Sequence, residues 1–229
     1  MASTIIEFAV QLTCNSCVDT VKKTLSKVEG IEDVQVHLEE QRVVVKSKLP
    51  TLKLLKLLES TGKKVAVKGY AGGQAAVSIL EAGDSNVKGV VRFIQPSSEV
   101  CIVDGTIDGL NAGSYRTYIY ECGDISNGCN NVGQVFNPTG EPGTKNYGDI
   151  GLISSDEKNR SHFRFENNSL RVSDLIGRAF VVTKSNTEGT EKIACGVIAR
   201  SAGLFQNPKT ICACDGTTIW DEAGKKSTL

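Results

Sequence analysis

From Thr4 to Gln11 apolar residues fill a strand-length run, and after Cys14 they switch to helical spacing at Val18, Val21, Leu25 and Val28. Gly30 stops that helix. Val34, Val36 and Leu38 alternate with polar neighbours, Glu39-Glu40-Gln41 makes a turn, and Val43-Val44-Val45 follows, which predicts a hairpin. Pro50 and Thr51 open a second helix, Leu52 to Leu58 supply its apolar face, Gly62 ends it, and Val65-Ala66-Val67 forms a last strand. The order β-α-β-β-α-β predicts an α+β ferredoxin-like domain over residues 1–69.

Residues 70–75 read as a linker, because the adjacent Gly72 and Gly73 carry no periodic apolar content. Beyond it the texture changes to strand-sized runs separated by glycine and asparagine turns: Ala76 to Glu81, Lys88 to Gln95, Val100 to Ile107, Arg116 to Tyr120, His162 to Glu166, Ala179 to Lys184 and Lys192 to Ile198. This pattern predicts an all-β sandwich or barrel over residues 76–200. Residues 201–229 lose strand periodicity and are expected to form a flexible C-terminal tail.

Charge removes several function classes. Lysine plus arginine and aspartate plus glutamate both number 26, so no net field draws the chain to nucleic acid or an anionic membrane surface. No apolar run approaches the roughly 20 residues of a membrane span. Met1-Ala2-Ser3-Thr4 has no basic region and Glu7 interrupts the apolar run that follows, so no secretory signal is expected. The expected location is the cytoplasm, with a minor mitochondrial pool compatible with it.

Eight cysteines against two histidines and one methionine make thiolate the dominant soft ligand. In a reducing compartment close cysteine pairs serve as metal ligands or redox centres more often than as a disulfide framework. Cys14 and Cys17 flank Asn15-Ser16 where the first strand turns into the first helix. The helix end favours thiolate, and two thiolates at this spacing suit one near-linear soft ion, copper(I) above all. Zinc wants four ligands, and no second such pair or nearby histidine completes a tetrahedron in this domain. A thiol-disulfide exchange site of thioredoxin type is the rival reading, and an inert buried pair the bland one. In the tail Cys212 and Cys214 form a Cys-x-Cys pair able to bind copper or exchange disulfides. Cys101 and Cys122 read as buried structural cysteines.

Residues 1–69, with Leu12-Thr13-Cys14-Asn15-Ser16-Cys17, resemble the heavy-metal-associated domains of copper chaperones, whose motif is Met-x-Cys-x-x-Cys. Leu12 replaces the methionine, a packing residue beneath the loop in that family, and Lys63, in the turn before the last strand, is either a cation that offsets the charge of a bis-thiolate centre or an ordinary solvated lysine. Three stretches between Ala76 and Ala199 resemble copper/zinc superoxide dismutase, a Greek-key β-barrel. They are Gly109-Leu110 through Glu121-Cys122-Gly123-Asp124, Gly128-Cys129 through Gly133-Gln134-Val135-Phe136-Asn137-Pro138, and Ile176-Gly177-Arg178 with Val181-Val182 and Ala194-Cys195-Gly196-Val197-Ile198.

The second resemblance implies an intrasubunit disulfide between Cys129 and Cys195, and a dimer-type interface at Gly123, Ile176 and Gly177, from which Cys122 and Arg200 depart as non-apolar residues. Against the dismutase metal sites, Tyr118, Tyr120, Val135 and Thr183 stand where copper-binding histidines belong. Only Asp149 remains of the zinc set, and Lys192 takes the place of the substrate-guiding arginine. With His37 and His162 as the only histidines, dismutation is excluded, no catalytic residue is assigned and no zinc is expected in the barrel.

A Cys-x-x-Cys ferredoxin-like domain, a histidine-poor dismutase-like barrel and a Cys-x-Cys tail together resemble the copper chaperones for superoxide dismutase. That resemblance implies a non-enzymatic carrier that takes copper(I) on Cys14 and Cys17 from a donor protein the sequence does not identify. It docks on copper/zinc superoxide dismutase as a heterodimer, uses Cys212 and Cys214 in loading, and promotes the target's intrasubunit disulfide. A homodimer through the same surface, a thiol-disulfide oxidoreductase and a copper-sequestering scaffold are the alternatives.

Overall fold

β1 (Thr4–Val10) alternates faces, and Ile6, Phe8 and Val10 on one of them are fully buried. α1 (Asn15–Leu25) buries Cys17, Val21 and Leu25, four residues apart on one helix face. Its last turn carries Lys22 and Lys23, which complement the partial negative charge of the helix end. β2 (Ile31–His37) and β3 (Arg42–Ser47) form the hairpin, α2 (Thr51–Glu59) follows Pro50, and β4 (Val65–Tyr70) returns to pair with β1 at the sheet edge. The sheet order β2-β3-β1-β4 is antiparallel throughout, with α1 packed on β2 and on α2, and α2 on β4. This is the expected ferredoxin-like topology.

This computed structural model describes residues 2–72, 74–138, 147–184, 191–207 and 218–220. The chain divides into two compact units, Met1–Gly73 with Ser201–Thr228, and Gln74–Arg200. No helix among the described residues is long and apolar enough to cross a membrane.

The second unit runs β5 (Gln74–Ile79), β6 (Ala82–Gly83), β7 (Lys88–Gln95), β8 (Cys101–Asp108), β9 (Gly113–Tyr120), β10 (Asp149–Ser155), β11 (Arg160–Asn167), a short α3 (Val172–Leu175), β12 (Ala179–Lys184) and β13 (Lys192–Arg200). The order β12-β9-β10-β11-β8-β7-β5-β13 closes through β12–β13 pairing, and β6 is a two-residue addition to β13. Non-consecutive neighbours such as β8 with β11 and β9 with β12 make this a Greek-key barrel. Its interior is filled by Val91, Phe93, Val103, Ile107, Phe163 and Phe180 among others.

β10 and α3 are absent from the strand runs read off the sequence. The reason in β10 is a bulge: the register with β9 shifts between Asp149 and Gly151, so Ile150 and Ile153, three apart rather than two, both enter the core. Leu152 between them is 61% exposed, which breaks the alternation that identifies a strand.

Asp104 of β8 and Arg164 of β11 lie opposite each other and pair at 3.1 Å with side chains 1% and 3% exposed. A buried pair of this kind contributes little net stability, but removing one partner strands the other charge in low dielectric. Asp104→Ala is therefore expected to lower unfolding stability by about 3 to 5 kcal/mol, and Asp104→Leu combined with Arg164→Met to recover most of it. Urea unfolding midpoints of the three chains check this.

Candidate metal centre

The turn from β1 into α1 places Cys14 at the helix N-cap and Cys17 in the first turn, where the Cys17 amide donates to the Cys14 carbonyl at 3.0 Å. No acidic side chain lies in that turn. The two sulfurs are 3.4 Å apart, Cys14 exposed and Cys17 only 5% exposed. Leu12, two residues before the pair, is buried at 3% exposure.

The Cys17 thiol is pulled down from 9.0 to about 6. The Thr13 hydroxyl, 3.4 Å from Cys17 Sγ, contributes most, followed by the Thr13 backbone, the Lys63 side chain and the Cys14 thiol. Each stabilises negative charge on sulfur, so Cys17 is mostly thiolate at neutral pH. Lys63 arrives from the turn before β4 because β4 pairs with β1, Val65 facing Val10, and the Gln11 amide donates to the Lys64 carbonyl. Thr13 was not singled out in the sequence; a hydroxyl one residue before a Cys-x-x-Cys pair is the signal that marks it.

The result is one anionic, sheltered sulfur beside one accessible sulfur. Linear two-coordination needs the sulfurs farther apart than 3.4 Å; Cys14 is the exposed one of the two, its sulfur 2.9 Å from the Ser16 hydroxyl. Among the described residues no third histidine, cysteine or carboxylate joins the pair. The second pair, Cys212 and Cys214, lies outside the described residues.

In the barrel Cys129 and Cys195 are joined, with Cα atoms 5.9 Å apart and a sequence separation of 66. Closing a loop of that length adds about 4 kcal/mol on the chain-entropy account. Of the remaining cysteines Cys101 is buried, its thiol pushed up to about 12 by burial, as befits a structural residue. Cys122 corrects the expectation of burial: it follows β9 at the head of a loop and is exposed.

The positions compared with dismutase ligands carry no ligand cluster. Tyr118 and Tyr120 pack edge to face with centroids 6.3 Å apart, Tyr120 bridges to Val135, and the Lys192 ammonium sits 4.7 Å over the Tyr120 ring. Thr183 donates to the Arg116 carbonyl at 3.3 Å, and Asp149 pairs with Arg116 at 3.3 Å. Burial pushes the Lys192 ammonium down and the Tyr120 hydroxyl up, so an apolar, aromatic plug fills the place.

Gly123, Ile176 and Gly177 come together on the barrel surface. A Cβ on Gly123 would meet the Gly177 carbonyl oxygen at 2.6 Å and Val197 Cγ1 at 3.1 Å. Ile176 is 42% exposed, and beside Val197 an open groove of about 240 Å³ is lined by Val77, Ile79, Glu81, Val197 and Ala199. Ile79, 41% exposed, extends the apolar patch. β5 and β13 betray it in sequence, because their outward positions Val77, Ile79, Val197 and Ala199 are apolar where a solvated barrel alternates with polar residues.

A close cysteine pair on a ferredoxin-like domain, joined to a dismutase-type barrel, is the arrangement of a metallochaperone. The sequence model of the heavy-metal-associated domain matches residues 7–64, and that of copper/zinc superoxide dismutase (SODC) matches residues 87–198. The copper chaperone for superoxide dismutase of Homo sapiens is 44% identical over 96% of this chain and 89% of its own length. The chloroplastic/cytosolic one of Arabidopsis thaliana is 36% identical over 96% of this chain and 71% of its own. The superoxide dismutase 1 copper chaperone of Debaryomyces hansenii is 34% identical over 95% and 93%. Among solved structures the clock protein EA4 superposes with a TM-score of 0.49 at 30% identity, covering 55% of this chain and 94% of that one. The chain belongs to the family of copper chaperones for superoxide dismutase.

Thiolate ultraviolet absorbance followed against pH is expected to contain a step near pH 6 that Cys17→Ser removes and Thr13→Val moves upward. The sign follows from hydrogen bonding to the charged form, which holds the folded thiol below its usual value.

Proposed function

We propose that the chain carries copper(I) on Cys14 and Cys17 and delivers it to copper/zinc superoxide dismutase. The observation that carries this reading is the depressed Cys17 thiol lying 3.4 Å from an exposed Cys14. A sheltered thiolate retains a soft ion, and an accessible neighbour lets an incoming thiolate displace it stepwise, so copper passes without release of the free ion. Cys212 and Cys214 assist loading; joined as a disulfide they would oxidise the target's cysteine pair by thiol-disulfide exchange, ending as two thiols themselves, and the chain itself turns over no superoxide.

The barrel docks one dismutase subunit through the patch around Gly123, Ile176 and Gly177. Gly177 leaves open space there, and Ile79, Ile176 and Val197 supply apolar surface for a like-shaped partner. The same patch pairs two copies of this chain when no dismutase is present. The cytoplasm is the compartment in which reduced thiolates and a cytosolic target meet.

Mixing the copper(I)-loaded chain with reduced, copper-free, zinc-bound dismutase under a copper chelator tests the reading. Chelator-resistant activation is expected, lost in Cys14→Ser/Cys17→Ser when copper is limiting, with target oxidation lost in Cys212→Ser/Cys214→Ser. Oxidation of the target that proceeds equally without copper supports an oxidoreductase instead, and retention of copper supports a sequestering scaffold. Separately, Ile176→Asp is expected to weaken association with the dismutase subunit at least about tenfold, read by sedimentation or titration calorimetry.

A further inference from the structure

Glu7 sits in the middle of β1, a central strand, and is 2% exposed. Carboxylates are almost never that buried unless paired. Glu7 stands opposite Val44 of β3 and Gly69 of β4, so these three share the sheet face opposite to Ile6, Phe8, Val43 and Val45, the fully buried core residues. Val44 and Ala9 on the Glu7 face are also buried, at 7% and 5%. In a two-layer α/β domain that face has no helix of its own to cover it.

Residues 201–207, which leave β13 and belong to the same unit as the first domain, lie against this face. Gly203 bridges Tyr70 in parallel register; the Tyr70 amide donates to the Ala202 carbonyl at 3.4 Å and the Leu204 amide to the Tyr70 carbonyl at 3.1 Å. The chain then turns, with Phe205 at φ 60° and the Gln206 amide donating to the Gly203 carbonyl. That turn aims the Phe205 amide at Glu7 Oε2, 2.7 Å away. The Arg42 guanidinium, on β3, lies 4.6 Å over the Phe205 ring. The segment thus crosses from the edge strand β4 over β1 to β3.

Gly69 makes the crossing sterically possible. A Cβ there would stand 2.4 Å from the Gly203 carbonyl oxygen and 3.2 Å from that of Ala202, both backbone atoms that cannot rotate away.

The geometry points to a clasp: the open face of the first domain's sheet is a docking surface whose occupant is the chain's own segment 201–207. Glu7 is the acceptor at its centre, Gly69 the gap that admits it, and Arg42 the lid over Phe205. The clasp assigns the root of the cysteine tail to the metal-carrying domain rather than to the end of the barrel. Cys212 is five residues beyond Asn207 and twelve beyond Arg200. Its contour reach is therefore about 18 Å from the clasp, against about 43 Å from Arg200 with the clasp open. The clasp stands or falls independently of which metal either cysteine pair carries.

Amide hydrogen exchange on the full chain tests it, with chymotryptic cleavage after Phe205 as a second readout. In the wild type the Leu204 and Phe205 amides are expected to exchange at least about tenfold more slowly than in unstructured chain. Gly69→Val should abolish that protection and speed cleavage by a similar factor, Glu7→Ala should reduce it, and Glu7→Gln, which keeps an acceptor, should leave it nearly intact. The Cys17 titration and the far-ultraviolet circular dichroism of each variant report whether the first domain remains folded. If a variant loses its fold, the milder Gly69→Ala takes its place. Exchange and cleavage unchanged in folded Gly69 and Glu7→Ala variants, or no protection in the wild type, would overturn the proposal.

Discussion

Everything the first domain can do with a metal depends on keeping one sulfur anionic while leaving its neighbour within reach. Hydrogen bonding from Thr13 contributes the largest share of that bias, and the Lys63 side chain adds to it. Thr13 belongs to the loop after β1 and Lys63 to the turn before β4, 50 residues later in the chain. Pairing of β1 with β4 is what joins them. The ferredoxin-like topology therefore acts on the chemistry directly, since a helix-start cysteine pair on another framework would lack the second donor.

The barrel meets a different constraint. In the barrel Tyr118 and Tyr120 pack edge to face, with the Lys192 ammonium over the Tyr120 ring. The Cys129–Cys195 link ties the loop after β9 to β13 beside them, in one small cluster with Val132, Ala179 and Val181. Shape is thereby retained, including the close packing of Gly123 against the Gly177 carbonyl at the barrel surface. Loss of the site and retention of the surface are consistent with a protein that recognises a relative of its own barrel.

Between metal pair and recognition surface lies the matter of how the tail is held. Glu7 in sequence is only a charge interrupting an apolar run, and Gly69 only part of a glycine-containing stretch near a domain end. Their meaning lies in each other and in Phe205, 198 residues from Glu7. A buried carboxylate with a backbone amide as its partner is specific in a way that apolar contact is not, because misplacing the segment leaves a charge unsatisfied.

Periodicity by itself determined the ferredoxin-like order, both long helices and most barrel strands, because each of those elements buries one regular face and its residues repeat at the period of that face. The Cys-x-x-Cys pair was equally legible, since ligand type and spacing are local. What periodicity missed had lost its period or its locality. β10 is interrupted by a bulge, Cys122 is exposed at the head of a loop where no local rule sets burial, and the outward apolar positions of β5 and β13 matter only once the two strands are neighbours. Lys63 was legible as a cation for the pair, but the hydrogen bonding of Thr13 to Cys17, and the meeting of Gly69 and Glu7 with the 201–207 segment, were decided by tertiary structure. Electrostatics and steric fit act through space over a few ångströms, and only the folded chain brings those residues that close.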